Sequence, residues 1–370
     1  MNAMGWRRDR IEAVTHGAGS PGLPHIYCVF VVLFACGTTP KDTDAPGDSS
    51  SVDTADTSVD SDSGDTAGES DSGDTSEETA ETRCVGSGPW ATVSAGAKGS
   101  CGVHEDGCIE CWTAIDTGAP SPHIDETGYA GLTGYRVPPD GVYSAVELGR
   151  CNDYGTHSCA IRQSDGGIDC WGSDAWRRAS PPAGEWLALS LEEYDSCALG
   201  LDGRIACWGQ GIGPGEVASY SLAADYVEVV DCDNSVCGLG MDGRVDCWPL
   251  GYSDMVTTIP GPWTTMTIDW HTVVFGVTPA GEVADSSGLN FLPEPSAPAV
   301  DLCVAGWRDW GCVLDAKGRV VCNGDLADPP AVSFTSISCG GKHACGVTTA
   351  GEIFCWGDCD NGQCDVPVHE

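Results

Sequence analysis

Residues 196–209 read SCALGLDGRIACWG, and residues 344–357 read ACGVTTAGEIFCWG. Both are copies of one unit, in which a cysteine, an aliphatic residue, a glycine, a second aliphatic residue and a second cysteine follow one another at fixed spacing. Successive copies start 33 to 58 residues apart. A period of this size with strand-like content is typical of propeller blades. The first positions of the seven copies are Cys101, Cys159, Cys197, Cys237, Phe275, Cys312 and Cys345.

Each copy predicts a β-hairpin whose register follows from its turn. The turn glycine stands six positions after the first residue in six copies, and the second copy has one extra residue and carries Gly166 and Gly167 there. A three-residue turn ending in a left-handed glycine is a favoured hairpin connection. It places position +2 opposite +8 and position zero opposite +10, so these side chains share one buried face. Tryptophans at +11 are predicted to pack between adjacent blades: Trp112, Trp171, Trp208, Trp248 and Trp356.

The two cysteines of a copy are predicted to form a cross-strand disulfide. Opposed strand residues lie about 4.5 to 5.5 Å apart, which is within disulfide reach. The fifth copy lacks both cysteines together and has Phe275 and Asp285, as expected if one orphan thiol gains nothing. A metal site is the alternative, but zinc favours clustered CxxC pairs or histidines. The predicted pairs are Cys101 with Cys111, Cys159 with Cys170, Cys197 with Cys207, Cys237 with Cys247, Cys312 with Cys322 and Cys345 with Cys355.

Eight further cysteines lie in the repeat region, and their spacing leaves the pairing open. Cys359 and Cys364 flank a tight DNG loop, which makes them candidates for one pair. Cys84 is a candidate for a staple to the C-terminal end that would lock ring closure. The remaining five are Cys108, Cys151, Cys232, Cys303 and Cys339.

The first 83 residues differ from the repeats in composition. Residues 26–35 form an apolar run of ten, too short to span a bilayer and of the size of a signal-peptide core. The run ends in LFACG, which resembles a bacterial lipobox and predicts lipidation of Cys36, with an ordinary cleaved signal as the alternative. Residues 37–83 hold 14 acids and 2 bases among Ser, Thr and Gly, which favours a flexible spacer over a calcium site. We therefore predict a signal peptide with a lipobox at 1–36, a disordered acidic linker at 37–83 and a propeller at 84–370.

The charge and the cysteine content exclude several classes of function. With 55 acidic and 17 basic residues, the chain has a formal net charge of -38 at pH 7. A surface this negative repels phosphates, so neither nucleic-acid binding nor a polybasic membrane role is expected. The 22 cysteines indicate an oxidising compartment. No apolar run is long enough to predict a spanning helix, so membrane contact is expected through the N-terminal lipid only.

The last copy, ISCGGKHACGVTTAGEIFCWGDCDNGQC at Ile337–Cys364, resembles the repeat of the regulator of chromosome condensation family. The shared features are an opening Gly-Gly-x-His, a glycine turn, a Trp-Gly pair and a closing Gly-Gln. The sequence departs from that pattern where Gln363 is followed by cysteine, and the fifth copy lacks Trp-Gly. The resemblance implies an all-β fold, a seven-bladed β-propeller, and the cysteine content is similar to that of secreted or lipid-anchored bacterial members.

Members of this family have divergent functions, so the resemblance implies no single activity. Some are guanine-nucleotide exchange factors for a small GTPase and bind chromatin, and a bacterial relative inhibits β-lactamase through its loop face. The repeat region carries 39 acids and 12 bases, which argues against chromatin, and an exported chain would not meet a cytosolic GTPase. No Gly-x-Ser-x-Gly, HExxH or phosphate-loop motif occurs. His157 and His343 share one repeat position, which favours a structural role, so we expect no catalysis, no cofactor and no metal.

These observations favour a monomeric protein-binding module on a bacterial cell envelope, as an outer-membrane lipoprotein facing the periplasm or the surface, or alternatively secreted. The partner protein is expected at the loop face, where the copies deviate and where Tyr, Trp and Arg, the types that anchor interfaces, occur. Packed or solvated loops are the alternative there, and a lectin-like or hydrolytic propeller acting on extracellular glycans is the alternative function. The candidate partner-binding residues are Tyr129, Tyr135, Arg136, Trp176, Arg177, Trp307 and Trp310.

Overall fold

The described residues form antiparallel strands in seven separate sheets, which confirms the predicted seven-bladed β-propeller. The signal segment with Cys36 and the linker at 37–83 lie outside the described residues. The structure, a computed structural model, describes residues 84, 86–113, 138–150, 157–210, 212, 216–222, 225–232, 234–269, 271–305, 310–324, 326 and 328–368.

Each blade is built from consecutive strands, so its inner strand comes first in the chain. Blades 1 and 2 contain β1 Trp90–Ala95, β2 Ser100–His104, β3 Ile109–Trp112, β4 Tyr143–Leu148, β5 His157–Arg162 and β6 Ile168–Gly172. Blades 3 and 4 have a fourth, outer strand and contain β7 Trp186–Leu191, β8 Asp195–Gly200, β9 Ile205–Gly209, β10 Ala218–Tyr220, β11 Tyr226–Cys232, β12 Ser235–Gly240, β13 Val245–Pro249 and β14 Thr257–Ile259. Blades 5 to 7 contain β15 Thr265–Ile268, β16 Val274–Val277, β17 Val283–Asp285, β18 Ala299–Val304, β19 Gly311–Asp315, β20 Val320–Cys322, β21 Phe334–Cys339, β22 His343–Thr348 and β23 Ile353–Gly357.

The predicted hairpin register is confirmed in every blade. In blade 1, Cys101 pairs with Cys111 and Val103 pairs with Ile109, and blade 5 keeps the same register without cysteines. The turn glycines have positive φ in all seven blades, as a left-handed turn position requires: Gly107, Gly166, Gly203, Gly243, Gly281, Gly318 and Gly351.

The sulfur atoms of all six predicted hairpin pairs are bonded. These bonds join two residues that face each other across the second and third strands of a blade. The bonded pairs are Cys101 with Cys111, Cys159 with Cys170, Cys197 with Cys207, Cys237 with Cys247, Cys312 with Cys322 and Cys345 with Cys355.

The expectation that both cysteines of a pair lie on a buried face needs a correction. The second cysteine is buried only where the blade has a fourth strand. Cys247 is 3% exposed because β14 covers β13, with Thr257 directly opposite Cys247. Cys170 is half-buried, because the sheet of blade 2 ends at β6 among the described residues. The outer strand, which the repeat pattern does not encode, therefore decides how far solvent reaches this sulfur.

The core consists of seven apolar clusters, one at each interface between neighbouring blades. Between blades 2 and 3, Cys159 and Ile161 of one hairpin pack against Leu191 and Trp208 of the next blade. The other six interfaces repeat this arrangement, including the one between blade 7 and blade 1. The predicted role of the +11 tryptophans in packing between blades is confirmed where they lie in these clusters: Trp112, Trp208, Trp248 and Trp356 are buried there.

A polar cluster accompanies the apolar one at two interfaces. The Ser196 hydroxyl and the Trp208 indole N–H of blade 3 both donate to the carbonyl of Arg178, at 2.9 and 2.8 Å. At the seam between blades 7 and 1, Ser100 and Trp112 donate in the same way to the carbonyl of Gln363, at 3.0 and 2.9 Å. The connection that leaves one blade is therefore fastened to the next blade through a single carbonyl oxygen.

The inner strands are joined near the axis by side chains that accept backbone N–H groups from the next blade. Ser338 accepts from the N–H of Ala95 at 3.0 Å, and Ser190 accepts from that of Asp231 at 2.9 Å. Glu228 takes the same role toward Met266, at 3.2 Å. Because such bonds also cross the seam between blades 7 and 1, ring closure uses the same contacts as the other interfaces.

The disulfides outside the hairpins differ from the sequence-based expectation at one cysteine, Cys84. Cys359 is bonded to Cys364, as the DNG loop suggested, and Cys303 joins Cys339 across two neighbouring inner strands. The expected staple from Cys84 to the C-terminal end is wrong, because Cys84 is bonded to Cys108. The segment before β1 crosses the turn of its own hairpin, with Ser87 bonded to Asp106, whereas β23 ends at the opposite end of the blades. Cys151 lies outside the described residues.

Trp112 and Trp356 provide a matched test of the carbonyl contact at the seam. Both are 5% exposed, but the indole N–H of Trp356 has no acceptor among the described residues. Replacing either by phenylalanine leaves a similar gap, while only Trp112→Phe leaves the Gln363 carbonyl with one bond fewer. We expect Trp112→Phe to lower the free energy of unfolding by about 1 kcal/mol more than Trp356→Phe does, measured by urea unfolding with disulfides intact. Equal losses would show that the indole bond contributes nothing.

Carboxyl groups of the inner strands make stability depend on pH. Burial, helped by the nearby carboxylate of Asp301, raises the pKa of Glu228 to about 8, and burial raises those of Asp301 and Glu147 to about 7. Between its unfolded and folded pKa values, each group binds more protons in the folded state, so stability falls as pH rises through that window. We expect the melting temperature to fall from about pH 5.5 to about pH 8.5.

The Glu228→Gln variant isolates one of these groups. It should remove on the order of 4 kcal/mol of the pH-dependent loss, and Glu352→Gln at an exposed position is the matched control substitution. A slope that Glu228→Gln does not alter, or one that rises with pH, would contradict this assignment.

Candidate functional site

The propeller has two faces that differ in their loops. One face, the turn face, carries the seven short hairpin turns with the glycines named above. The opposite face, the loop face, carries the connections between first and second strands and receives the ends of the third strands. These connections differ in length and sequence from blade to blade. These connections therefore make the loop face variable, and binding residues tend to occur in such loops on a rigid scaffold.

The connection after β6 has an unusual backbone. A short 3-10 helix, Ala175–Arg177, contains two consecutive residues with positive φ, Trp176 at 57° and Arg177 at 65°. Residues other than glycine rarely adopt a positive φ, and such backbone strain is typically maintained at functional sites. Asp174 holds the loop by accepting from the Ala179 N–H and the Ser180 hydroxyl, both at 2.9 Å.

Arg178 anchors this loop from below. Its fully buried guanidinium donates to the carbonyls of Ser173 and Glu193, and its own carbonyl accepts the two bonds from blade 3 described above. The guanidinium carbon lies 5.9 Å from the centre of the Trp176 ring, within the range of a cation–π contact. Arg178 is thus a structural residue that fixes Trp176, and it is not available to a partner.

Above this anchor, three side chains form a small mixed surface that we call the Trp176 patch: Trp176, Arg177 and Tyr194. The Trp176 and Tyr194 rings meet edge to face with centroids 5.5 Å apart. Both rings are half-buried, whereas the side chain of Arg177 is 64% exposed and lies 3.9 Å from Asp174. Two immobilised aromatic rings beside an accessible guanidinium can bury apolar surface and accept a carboxylate or carbonyl at the same place.

A second exposed group on the loop face was not predicted. The connection from β13 to β14 exposes Tyr252, Met255 and Val256 together. Gly251 at its start donates its N–H to the Tyr220 hydroxyl at 2.7 Å, which ties the connection to blade 3. The available signal was the presence of three large apolar side chains in one short connection rather than in a strand.

The two histidines of the repeat are buried donors between blades. Nε2 of His157 lies 2.6 Å from the Ser196 hydroxyl, and Nε2 of His343 lies 2.8 Å from the Ser100 hydroxyl. Because each serine hydroxyl donates its proton to a carbonyl, each histidine must donate from Nε2. Burial holds the pKa of His157 well below its usual value and lowers that of His343 to about 4. Both imidazoles are therefore neutral at physiological pH.

The predicted partner-binding residues differ in where they lie and in how exposed they are. Trp176 and Arg177 lie on the loop face as expected, and Tyr194, which the sequence reasoning missed, joins them. The expectation for Trp310 is wrong, because it is 5% exposed and packs in the cluster between blades 6 and 7. The remaining four candidates lie outside the described residues: Tyr129, Tyr135, Arg136 and Trp307.

Three further observations concern the described part of the chain. Within the described ranges, no three His, Cys, Asp or Glu side chains are grouped to hold a metal ion. No helix among those same residues is long and apolar enough to cross a membrane. The nine disulfides found in the described part of the chain indicate an oxidising environment.

Two solved structures of receptor-kinase ectodomains are similar to this chain in fold. The ectodomain of the receptor kinase CR4 from Physcomitrella patens is 19% identical, with a TM-score of 0.55 over 73% of this chain and 74% of that one. The CRINKLY WD40 ectodomain of the receptor kinase ACR4 from Arabidopsis thaliana is 18% identical, with a TM-score of 0.52 over 73% and 98% of the two chains. At these identities the likeness concerns the fold alone.

The sequence comparison concerns the last blade. Residues 334–363 match the family model described as "Regulator of chromosome condensation (RCC1) repeat". The match covers β21 to β23 and ends at Gln363, whose carbonyl fastens blade 7 to blade 1. The seven hairpin blades therefore form a β-propeller, and the last of them is similar to an RCC1 repeat.

Proposed function

We propose that this protein is an exported, lipid-anchored interaction module that binds a partner protein through the loop face on a bacterial cell envelope. The observation that carries the proposal is the Trp176 patch. Its backbone departs from favourable φ values, and a buried arginine and an aspartate hold it in place. A loop with no role would relax, so the strain supports a role for the side chains that it presents.

The composition of the patch favours a protein partner. Tryptophan, tyrosine and arginine dominate the energetics of protein interfaces. The two rings lose little entropy on binding, because they already restrict each other and Arg178 also restricts Trp176. Tyr252, Met255 and Val256 add exposed apolar surface to the same face.

Anchoring through Cys36 rests on the lipobox-like LFACG and the acidic linker that follows it. A lipid at Cys36 would tether the propeller to the membrane through the acidic linker. Mass spectrometry of the mature N-terminus tests this part, since a chain that begins at an unmodified residue would rule out the anchor.

Matched variants test the binding face. The full-length protein would be cross-linked in envelope extracts, and captured proteins quantified for each variant. Arg177→Ala and Met255→Ala alter the loop face, while Arg204→Ala and Met241→Ala alter exposed residues of the same types on the turn face. We expect Trp176→Ala and Arg177→Ala to lower capture of one protein at least about tenfold, as for interface anchors.

The outcome separates the proposal from its alternatives. The turn-face variants should capture that protein as the wild type does, with unchanged melting temperatures throughout. Capture that is insensitive to the loop-face variants, or equally sensitive to the turn-face ones, would contradict the proposal. Binding on a glycan array that Trp176→Ala abolishes would instead favour a lectin-like propeller.

A further inference from the structure

The nine disulfides among the described residues differ in how far solvent reaches them. The first cysteine of each hairpin pair is fully buried in the interface between blades, as Cys197 and Cys345 are. The Cys303–Cys339 bridge is also buried. Cys359, bonded to Cys364, is the exposed one among the described disulfide-bonded cysteines. A thiol in solution can therefore reach this bridge without any opening of the blades.

The loop closed by this bridge holds the seam between the first and last blades. The Thr113 hydroxyl of blade 1 donates to the carbonyl of Asn361 at 3.0 Å. The Gln363 carbonyl accepts from Ser100 and Trp112 of the same blade. All these acceptors lie between the two half-cystines, so the covalent bridge fixes the carbonyl oxygens that blade 1 uses to close the ring.

The corresponding connection between blades 2 and 3 is held in a different way. There the carbonyl of Arg178 accepts the same pair of bonds, and hydrogen bonds of Asp174 and of the buried guanidinium hold the loop. Blades 2 and 3 are also consecutive in the chain, whereas blades 7 and 1 are the last and the first blade and no connecting segment joins them. No disulfide among the described residues crosses the seam, since Cys84 is bonded within blade 1.

We propose that Cys359–Cys364 is a thiol-exchange site whose reduction by an external dithiol loosens the seam between blades 7 and 1. The dithiol's thiolate attacks the sulfur of Cys359, the S–S bond breaks, and Cys364 leaves as a thiolate that takes up a proton. The second thiol of the reagent then attacks the mixed disulfide and releases Cys359. Two electrons and two protons pass from the dithiol to the cystine, and the dithiol becomes a disulfide.

The first measurement is selective reduction of the full-length protein. Dithiothreitol is added under native conditions, free thiols are alkylated at intervals, and the labelled peptides are quantified by mass spectrometry. We expect Cys359 and Cys364 to be labelled at least about tenfold faster than Cys197 and Cys207 of blade 3, which are both fully buried, because attack on the exposed bridge needs no opening of an interface. Labelling of both pairs at one rate would overturn the proposal.

The second measurement follows the seam itself by amide hydrogen exchange of the partially reduced protein. The N–H of Ala95 is bonded to Ser338 across the seam, and that of Asp231 makes the same contact with Ser190 between blades 3 and 4. Reduction should speed exchange at Ala95 about tenfold and leave that at Asp231 within about twofold. Unchanged exchange at Ala95 would show that the bridge does not hold the seam.

A variant gives the same information without a reductant. Cys359→Ser combined with Cys364→Ser should speed exchange at Ala95 as reduction does, while the hairpin disulfides stay intact. If this variant does not fold, the partially reduced wild-type protein still decides the question.

Discussion

In six of the seven hairpins, the structure depends on the cross-strand pairing of two cysteines at the centre of the hairpin. Their Cα atoms lie only 4.0 to 4.1 Å apart, and the covalent bond fixes the register of the two strands. A shift of one residue would turn the apolar side chains away from the next blade. The same bond therefore sets the hairpin and the interface that the hairpin forms.

Blade 5 shows what the disulfide contributes beyond a covalent bond. Phe275 occupies the position of the first cysteine and is fully buried, opposite Asp285. Its ring packs edge to face on Phe291 with centroids 6.0 Å apart, and its neighbours come from blade 6. A buried aromatic ring can thus fill the space of a cystine, so the position requires apolar volume and, in six blades, also receives a covalent bond.

The repeat made most of the fold predictable, because position zero and +10 are related by local turn geometry alone. The same reasoning failed for Cys84, whose partner depends on the path of the segment before β1 rather than on the repeat. It also failed for Trp310, because the sequence does not distinguish a tryptophan buried between two blades from one exposed on a loop. Tyr194 was missed because its importance comes from its contact with Trp176, which is 18 positions away and belongs to another connection. The strain at Trp176 has no sequence signal at all, since positive φ is rare for any residue but glycine.

The account predicts which sulfur atoms are joined, and disulfide mapping of unreduced protein tests this most directly. Proteolysis of the native chain and mass spectrometry of its linked peptides should recover pairs 10 or 11 residues apart within each cysteine-bearing hairpin, such as Cys197 with Cys207 and Cys159 with Cys170. Free thiols at these positions, or links between cysteines of different hairpins, would contradict a propeller built from disulfide-registered blades.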